Sequence, residues 1–556
     1  MTDVVVVGSG GAGLVAALRA ADGGAGVTVL ERTSRIGGST ALSGGGVWAP
    51  GNHHMAAAGL IDSREDALTY CRRLVAGKVP DELVEAFVDA APNMIRYLES
   101  RTDLRFRPLS WPDYHPEMEG AKRAGRMLES EPFATVGLGE WAARIRTGPV
   151  LAMPITLEEQ SVTWQLGYTP AKFDRDLVKA RAAAEQVTMG RALVAGLLQA
   201  CLQRGVRVVT GARALHLTRD QSGAILGVRG IGADPSGEAV SSGRVDPDFA
   251  IEAEAIVLAS GGFEWDAALR RSFLAGPLTH PTTPPSGDGD GLRMAMSAGA
   301  ALANMTEAWW YPASSVPGDR YEEVALNRFV ATERTAPHCI LVNQDGVRFV
   351  NEAANYNDMM KAFFHFDPRG YRWRNLPCWA IMDGQYRRRY SIASVRPGSP
   401  DPEWLLKASS IDGLAALIGA DPGGLSATIE RFNRLAGMGK DLDFGRGDSY
   451  YDRFHGDPTS PHPNLGTLEE PPFYALPVYP GCVGTKGGPL TNRRAQVLDV
   501  RGAVIPGLFA AGNVAASPAG PAYFGGGCSI AMAMTWGYLA GAAAAEQVRS
   551  QGICEP

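Results

Sequence analysis

Tyr523 and Gly527 stand four positions apart in Ala519-Gly-Pro-Ala-Tyr-Phe-Gly-Gly-Gly-Cys-Ser-Ile530. A phenol and a backbone N–H at this spacing can both donate to one carbonyl oxygen and stabilise enolate charge as a neighbouring C–H is lost. At the other end of the chain, Val4-Val-Val-Val-Gly-Ser-Gly-Gly-Ala-Gly13 and Val27-Thr-Val-Leu-Glu31 read as strand, glycine turn, helix and second strand ending in an acid. In such a unit Gly8 allows the tight turn and Gly10 lets the backbone approach a pyrophosphate at the helix N-terminus. Gly13 permits close helix–strand packing, and Glu31 can accept from ribose hydroxyls. A dinucleotide beside a carbonyl clamp is the equipment of an oxidoreductase acting next to a ketone.

Arg32-Thr-Ser-Arg-Ile-Gly-Gly-Ser-Thr-Ala-Leu-Ser-Gly-Gly-Gly46 follows the acid directly and offers hydroxyls and amides to a ligand longer than NAD. An NAD domain would continue into another strand and helix here. Further marks are Gly190-Arg-Ala-Leu193 on a predicted helix, the strand Ile256-Val-Leu-Ala-Ser-Gly-Gly-Phe263, the turn Gly287-Asp-Gly-Asp-Gly291, and Gly507-Leu-Phe-Ala-Ala-Gly-Asn513.

Together these motifs resemble the FAD-dependent fumarate reductase and 3-ketosteroid dehydrogenase superfamily over nearly the whole chain. The resemblance implies non-covalent FAD held by Gly8, Ser9, Gly10, Gly11, Gly13, Glu31, Arg32, Gly38, Ser39, Thr40, Ser43, Gly45, Ala212, Gly261, Gly512, Asn513, Ser529 and Ile530. It also implies an α/β Rossmann-type FAD-binding domain with an inserted α+β catalytic domain. Aromatic and Pro-rich punctuation at Trp309-Trp-Tyr-Pro312 and Pro471-Pro-Phe-Tyr474 brackets the insert, expected at 312–480 between flavin-domain segments 1–311 and 481–556.

Fumarate reductases carry a His-Tyr-Thr-x-Gly-Gly motif and a catalytic Arg near the C-terminus. Here those places read Tyr479-Pro-Gly-Cys-Val-Gly-Thr-Lys-Gly-Gly488 and Ala519 to Gly527, with neither the His nor the Arg. Lys486 is the only charge nearby, too little to offset the desolvation of a dicarboxylate. The segments instead resemble 3-ketosteroid Δ1-dehydrogenases, as do Pro112-Asp-Tyr-His-Pro-Glu117 and Arg348-Phe-Val-Asn-Glu-Ala-Ala-Asn-Tyr-Asn-Asp358. That likeness implies Tyr523 and Gly527 as carbonyl clamp, Tyr356 as the base at C2 and Tyr114 as its helper. The reaction would be 1,2-dehydrogenation of a 3-ketosteroid in steroid catabolism, with hydride passing from C1 to the flavin. A quinone-like or dye acceptor would reoxidise it. A Δ4-(5α)-dehydrogenase, another fumarate-reductase-like oxidoreductase and a non-catalytic apolar-ligand flavoprotein are the alternative readings.

The chemistry itself sets a demand. An unperturbed Tyr has a pKa of about 10, so tyrosinate at pH 7 costs roughly 4 kcal/mol. Donation from Tyr114 to the charged form of Tyr356 would reduce that cost. His115 and the pair Trp310-Tyr311 are assigned no catalytic role, and the run Arg387-Arg-Arg389 is expected on a solvated face.

The elements that must position these groups fit a chain of 556 residues, 45% hydrophobic and 20% charged, long enough for two domains. Its 67 Gly and 37 Pro announce many tight turns. A net charge of −6 gives no electrostatic case for nucleic acid. The seven scattered cysteines form no C-x-x-C, so neither a disulfide framework nor a metal site is expected. Asp441 to Gly447 lacks the spacing of a calcium loop and reads as an ordinary folded loop. The strand beginning at Asp3 leaves no room for a signal peptide, and a cytoplasmic location is expected. Cys528 to Ala545 is apolar enough to resemble a membrane span, but it is Ala- and Met-rich and follows a Gly-rich turn; a buried helix is expected. Val206 to Gly230, with a turn at Gln221-Ser-Gly223, reads as a small β-meander.

Overall fold

The computed structural model describes residues 2–150, 152–232 and 248–552. The first strand, β1 (Val4–Val7), is a β-branched run buried on both faces, as a central parallel strand must be. It leads into helix α1 (Gly11–Asp22) and strand β2 (Val27–Glu31). These strands lie in a six-stranded sheet, where β1 pairs in parallel with β2 and with Ala255–Leu258. The strand Arg207–Thr210 continues one edge beyond β2 in parallel. On the other side Val504–Ala510 is also parallel, and Gln496–Leu498 closes that edge antiparallel.

Gly8 (φ +111°) ends β1, and a Cβ there would lie 2.4 Å from the Ala259 carbonyl oxygen. At Gly13 a Cβ would come 2.0 Å from the carbonyl oxygen of Gly8. The tight turn and the close helix–strand packing expected of these two glycines are thus steric facts of the backbone. Ala255–Leu258 is shorter than the strand expected from the sequence, because residues 259–263 peel away into the loop lying against Gly8.

The strands Ala212–Arg219, Ile225–Gly232 and Asp248–Glu252 form a three-stranded antiparallel sheet, joined after its first strand by the turn around Gly223. A third, larger sheet is mostly antiparallel and runs in the order Val324–Phe329, Ala308–Tyr321, Phe473–Thr485, Cys378–Met382, Cys339–Val342. Its two longest strands, Ala308–Tyr321 and Phe473–Thr485, run through the positions 312 and 480 at which an insert is expected to begin and end. Helix α2 (Tyr356–Lys361) packs on the first of them.

The last helix, α3 (Cys528–Gly552), is long and apolar enough to cross a membrane, yet 72% of its most apolar window is buried inside the protein. Its small residues explain the burial: a Cβ on Gly537 or Gly541 would lie 2.3 Å from the carbonyl oxygen of Ala12 or Ala16 of α1. Gly537 faces Ala12 and Gly541 faces Ala16, so the two helices run parallel. Cys528 lies nine residues before Gly537, and Gly11 lies one before Ala12. The N-terminus of α3 therefore projects eight residues, about 12 Å, beyond that of α1.

Arg387 is not on a solvated face: it is buried and donates to Asp401 and to the carbonyls of Arg396 and Ser399. Its neighbours Arg388 and Arg389 are exposed, as expected, and pair with Glu470 and Asp457. A three-residue charge run cannot show that opposite charges arrive from distant loops. The cysteines at 71, 201, 339, 378, 482 and 528 are free and buried, while Cys554 lies outside the described residues.

Candidate active site

Tyr523 lies in the turn between residue 512 and α3, and it meets two other phenols. Tyr114 donates to the Tyr356 hydroxyl at 2.5 Å. The rings of Tyr114 and Tyr523 are 5.0 Å apart, and those of Tyr356 and Tyr523 are 5.6 Å apart. Three residues far apart in the chain thus share one small space.

Backbone contacts set this convergence. The Tyr114 N–H donates to the Phe524 carbonyl at 3.0 Å, and the Tyr70 hydroxyl donates to the same oxygen at 2.6 Å. Asp113, one residue earlier, is buried and accepts from Trp48 Nε1 at 2.7 Å and from Arg126 at 2.8 Å. The 113–114 strip is therefore pinned edge-on to the segment that carries Tyr523. Tyr356 opens α2, whose N-cap Asn355 accepts from the Asp358 N–H.

Gly527 immediately precedes α3 and has φ +84°. A Cβ there would lie 2.4 Å from the carbonyl carbon of Gly46, so the position is closed to side chains by the protein itself, before any substrate is considered. No acceptor for the Gly527 N–H is found among the described residues, which leaves that donor for a ligand at the N-terminus of α3.

Burial dominates the electrostatics. It pushes the hydroxyls of Tyr114 and Tyr356 well above the ordinary phenol value, reinforced at Tyr114 by Tyr356, Tyr523 and Tyr451 and at Tyr356 by Tyr523 and Tyr451. The Tyr523 hydroxyl is also raised by burial, against a lowering contribution from Ser529. The hydrogen bond from Tyr114 acts on Tyr356 in the lowering direction expected, but it is outweighed. At rest the cluster is neutral.

Several neighbours were not identified as site residues from the sequence. Trp309 packs edge-on against Tyr523 at 4.8 Å, and Tyr311 against Tyr356 at 5.7 Å. Phe329 stacks on Tyr311 at 3.9 Å and closes on Tyr356. Strand alternation was the available signal: 309 and 311 share one face, while Trp310 points into the other core against Phe364. His115 bridges to α2 as well, its Nε2 lying 2.8 Å from Asp358 Oδ2. Burial opposes ionisation of Asp358, but the contacts from His115 and Lys361 prevail and hold it below the usual carboxylate range.

Of the residues expected to hold a dinucleotide, Gly8 to Gly13 follow the carboxyl end of β1, and Glu31 and Arg32 lie at that of β2. A Cβ on Gly10 would meet nothing nearer than Thr40 Oγ1 at 3.9 Å, and at Gly261 nothing lies within 4 Å. The protein does not require glycine at Gly10 for its own packing, as expected if a ligand must approach it. Gly10 caps α1 without a side-chain hydrogen bond, and the Gly11 N–H donates to Thr40 Oγ1. The Glu31 carboxylate accepts from the Ser9 N–H and Oγ on one oxygen and from the Thr33 N–H and Oγ1 on the other, so its lone pairs are engaged within the protein and a ribose hydroxyl would have to take over one of these bonds. Arg32 is spent differently: its guanidinium pairs with Asp288 and Asp290, which Arg213 also binds.

Gly38 has φ +49° and faces Gly10, with Ser39 and Thr40 following in the same short helix. Ser43 Oγ is bound to the Thr40 carbonyl and the Gly45 N–H, so its role is local. Gly45 packs against Met189, and the Gly190 N–H donates to the Ser43 carbonyl, which explains the Gly190 motif as a close contact. Ala212 is buried, directly after a Gly211 N–H that donates to the Thr33 carbonyl beside β2. Gly512 lies against Ala12 of α1. Asn513, beside it, accepts from Trp309 Nε1 at 3.1 Å. Ser529 lies 3.3 Å from the Tyr523 hydroxyl, and Ile530 is buried one residue further into α3. The N-termini of α1 and α3 are offset by about 12 Å, and a small cleft beside the start of α3 is lined by Trp309, Asn513, Ser517 and Ser529.

Comparison with known proteins agrees. The family model described as FAD binding domain matches residues 3–530. A 4-oxocyclohexanecarboxylate 2-dehydrogenase of Sinomonas cyclohexanicum is 41% identical over 98% of this chain and 93% of its own length. A 3-oxosteroid 1-dehydrogenase of Mycobacterium tuberculosis is 37% identical over 98% of each chain. Among solved structures, 3-ketosteroid Δ1-dehydrogenase from Sterolibacterium denitrificans, in complex with 1,4-androstadiene-3,17-dione, superposes with a TM-score of 0.87. It is 33% identical over 98% of this chain and 99% of that one. The chain belongs to this FAD-binding family, its cofactor is FAD, and it is an oxidoreductase acting on CH–CH groups.

Proposed function

We propose that the protein removes hydrogen from the C1–C2 bond of a 3-ketosteroid. The observation that carries this reading is the Tyr114–Tyr356 hydrogen bond of 2.5 Å, set beside Tyr523 and the N-terminus of α3. Tyr523 and the Gly527 N–H donate to the C3 carbonyl oxygen and stabilise the charge that grows on it when C2 is deprotonated. Tyr356, as its phenolate, takes the C2 proton, and Tyr114 donates to that phenolate. When bound, FAD would supply the hydride-accepting chemistry for C1, and loss of one proton and one hydride would leave a carbon–carbon double bond. The aromatic walls Trp309, Tyr311 and Phe329 exclude water from the deprotonation and present an apolar surface to a flat ring.

A second reading has its own support. The Sinomonas relative's name describes removal of hydrogen beside the ketone of a single carboxylated ring, and the same clamp and base would serve that reaction. The two-part flavin domain with a catalytic insert at 312–480 belongs to either reading, as do a quinone-like acceptor and a cytoplasmic location.

Anaerobic mixing of purified protein with a 4-ene-3-ketosteroid, or with 4-oxocyclohexanecarboxylate, distinguishes the two. Bleaching of the flavin by the steroid, with a 1,4-diene as product, is the expected result. Bleaching by the small keto acid alone would transfer the assignment to that substrate, and bleaching by neither would refute both.

A further inference from the structure

Lys486 is fully buried, and the groups its ammonium contacts are uncharged. Its ammonium donates to the Ala522 carbonyl at 2.7 Å, lies 3.4 Å from Asn357 Oδ1, and sits 4.3 Å from the centre of the Trp309 ring. Ala522 immediately precedes Tyr523, and Asn357 immediately follows Tyr356. Trp309 touches Tyr523 edge-on and donates to Asn513. The main chain of Lys486 extends the network: its N–H donates to the Glu307 carbonyl and its carbonyl accepts from the Ser517 N–H.

Two more donors converge on the same turn. Lys361 Nζ and Asn357 Nδ2 both reach the Pro521 carbonyl, at 2.9 and 3.4 Å. The two carbonyls ahead of Tyr523 are therefore held by three side chains, two of them from α2.

Resting on the reading of Tyr356 as base and Tyr523 as clamp, we propose that Lys486 is a positioning residue that fixes these two groups relative to each other. A buried ammonium is expensive to keep, and an apolar side chain of similar length would fill the same space at lower cost. What the ammonium adds is direction: two N–H bonds from one tetrahedral centre reach the Ala522 carbonyl and the Asn357 side chain, on two separate segments, and its charge rests on the face of Trp309. Misplacement of a catalytic group by about 1 Å can lower a rate by roughly 10²-fold, so a connection between base and clamp has kinetic consequences even though Lys486 touches no substrate. The ionisable groups around it are Glu307, Lys361, Asp358 and Cys528, and burial brings its own pKa down to about 7.

The test is a double-mutant cycle with a structural readout. Lys486→Met should keep its FAD and lower the rate of flavin reduction at saturating substrate by about 10- to 100-fold, with a much smaller change in KM. In a Tyr523→Phe background the same substitution should cost less than about 3-fold, since the group it positions is already gone. Equal factors in both backgrounds would overturn the proposal. Hydrogen exchange of peptides covering 519–527 and 354–361 should accelerate in Lys486→Met, and unchanged exchange in both would also overturn it. If the Met variant does not retain FAD, Lys486→Gln, which keeps an N–H donor, is measured in the same two ways. Exchange needs no substrate, so it still decides the matter if no ketone reduces the wild-type flavin and the functional reading itself fails.

Discussion

Tyr114→Phe keeps the ring and its contacts while removing the 2.5 Å hydrogen bond to Tyr356. The effect follows from what that bond does to two forms of one acceptor. A hydrogen bond to a neutral partner contributes about 0.5–1.5 kcal/mol and one to a charged partner about 1.5–3 kcal/mol. The bond therefore favours the Tyr356 phenolate over the phenol by about 1–1.5 kcal/mol, close to one pKa unit. Without it the phenolate fraction at fixed pH falls roughly tenfold. The base is then intrinsically stronger, which recovers part of the loss, so flavin reduction should slow by about 3- to 10-fold. Because burial already holds Tyr356 well above the ordinary phenol range, wild-type and variant profiles should both rise with pH across 6–10, parallel and displaced. The measurement is stopped-flow flavin reduction under anaerobic conditions at saturating ketone. A wild-type rate independent of pH, or a variant that differs only in KM, would refute the assignment of Tyr356 as base and Tyr114 as its donor.

Tyr523→Phe should lower the reduction rate by about 10²–10³-fold with a smaller loss of substrate affinity; poor binding at near wild-type turnover would make Tyr523 a packing residue. Gly10→Val should abolish FAD retention while far-UV circular dichroism stays near wild type, since no protein atom lies within 3.9 Å of the added Cβ and the collision is with the ligand. Gly527→Ala should destabilise the protein before it affects substrate, because its Cβ would meet Gly46 at 2.4 Å; an unchanged melting temperature would contradict that clash. Asp358→Asn removes the partner of His115 and should slow reduction more than it raises KM, as read from the two parameters at a fixed pH.

Much of this site could be read from the chain because its parts carry local signatures. Gly8, Gly10 and Gly13 follow a run of four valines, and the turn, the approach and the packing they permit depend on backbone sterics within a few residues. Gly527 and Tyr523 are likewise close neighbours. The meeting of Tyr114, Tyr356 and Tyr523 has no such local cause: it depends on a strip at 113–114 pairing with 524–525, which only the resemblance to a known family could anticipate. Trp309 and Tyr311 were passed over because an aromatic cluster beside a proline reads as punctuation, although their alternation along a strand aims both at the site. Arg32 and Arg387 show the same limit for charge. Each is exposed or basic as a letter in the sequence, and each is paired with a carboxylate supplied by a distant turn.

The distribution of charge around the cluster bears on mechanism. Three phenols packed together are driven toward neutrality by burial, so the resting protein does not store a phenolate that could react before a ketone arrives. His115 and Asp358 are held one residue beyond Tyr114 and two beyond Tyr356, where their pairing ties the loop to α2 without placing an anion between the hydroxyls. In the proposed reaction Tyr356 loses its proton to solvent as the pH rises, and the bound substrate changes only the demand on the phenolate: with its carbonyl polarised by Tyr523 and Gly527, the C2 proton would be more acidic and a weaker base would suffice. The clamp and the base are in this sense one device, and a ketone that engages the clamp with its ring displaced from Tyr356 should bind without reducing the flavin.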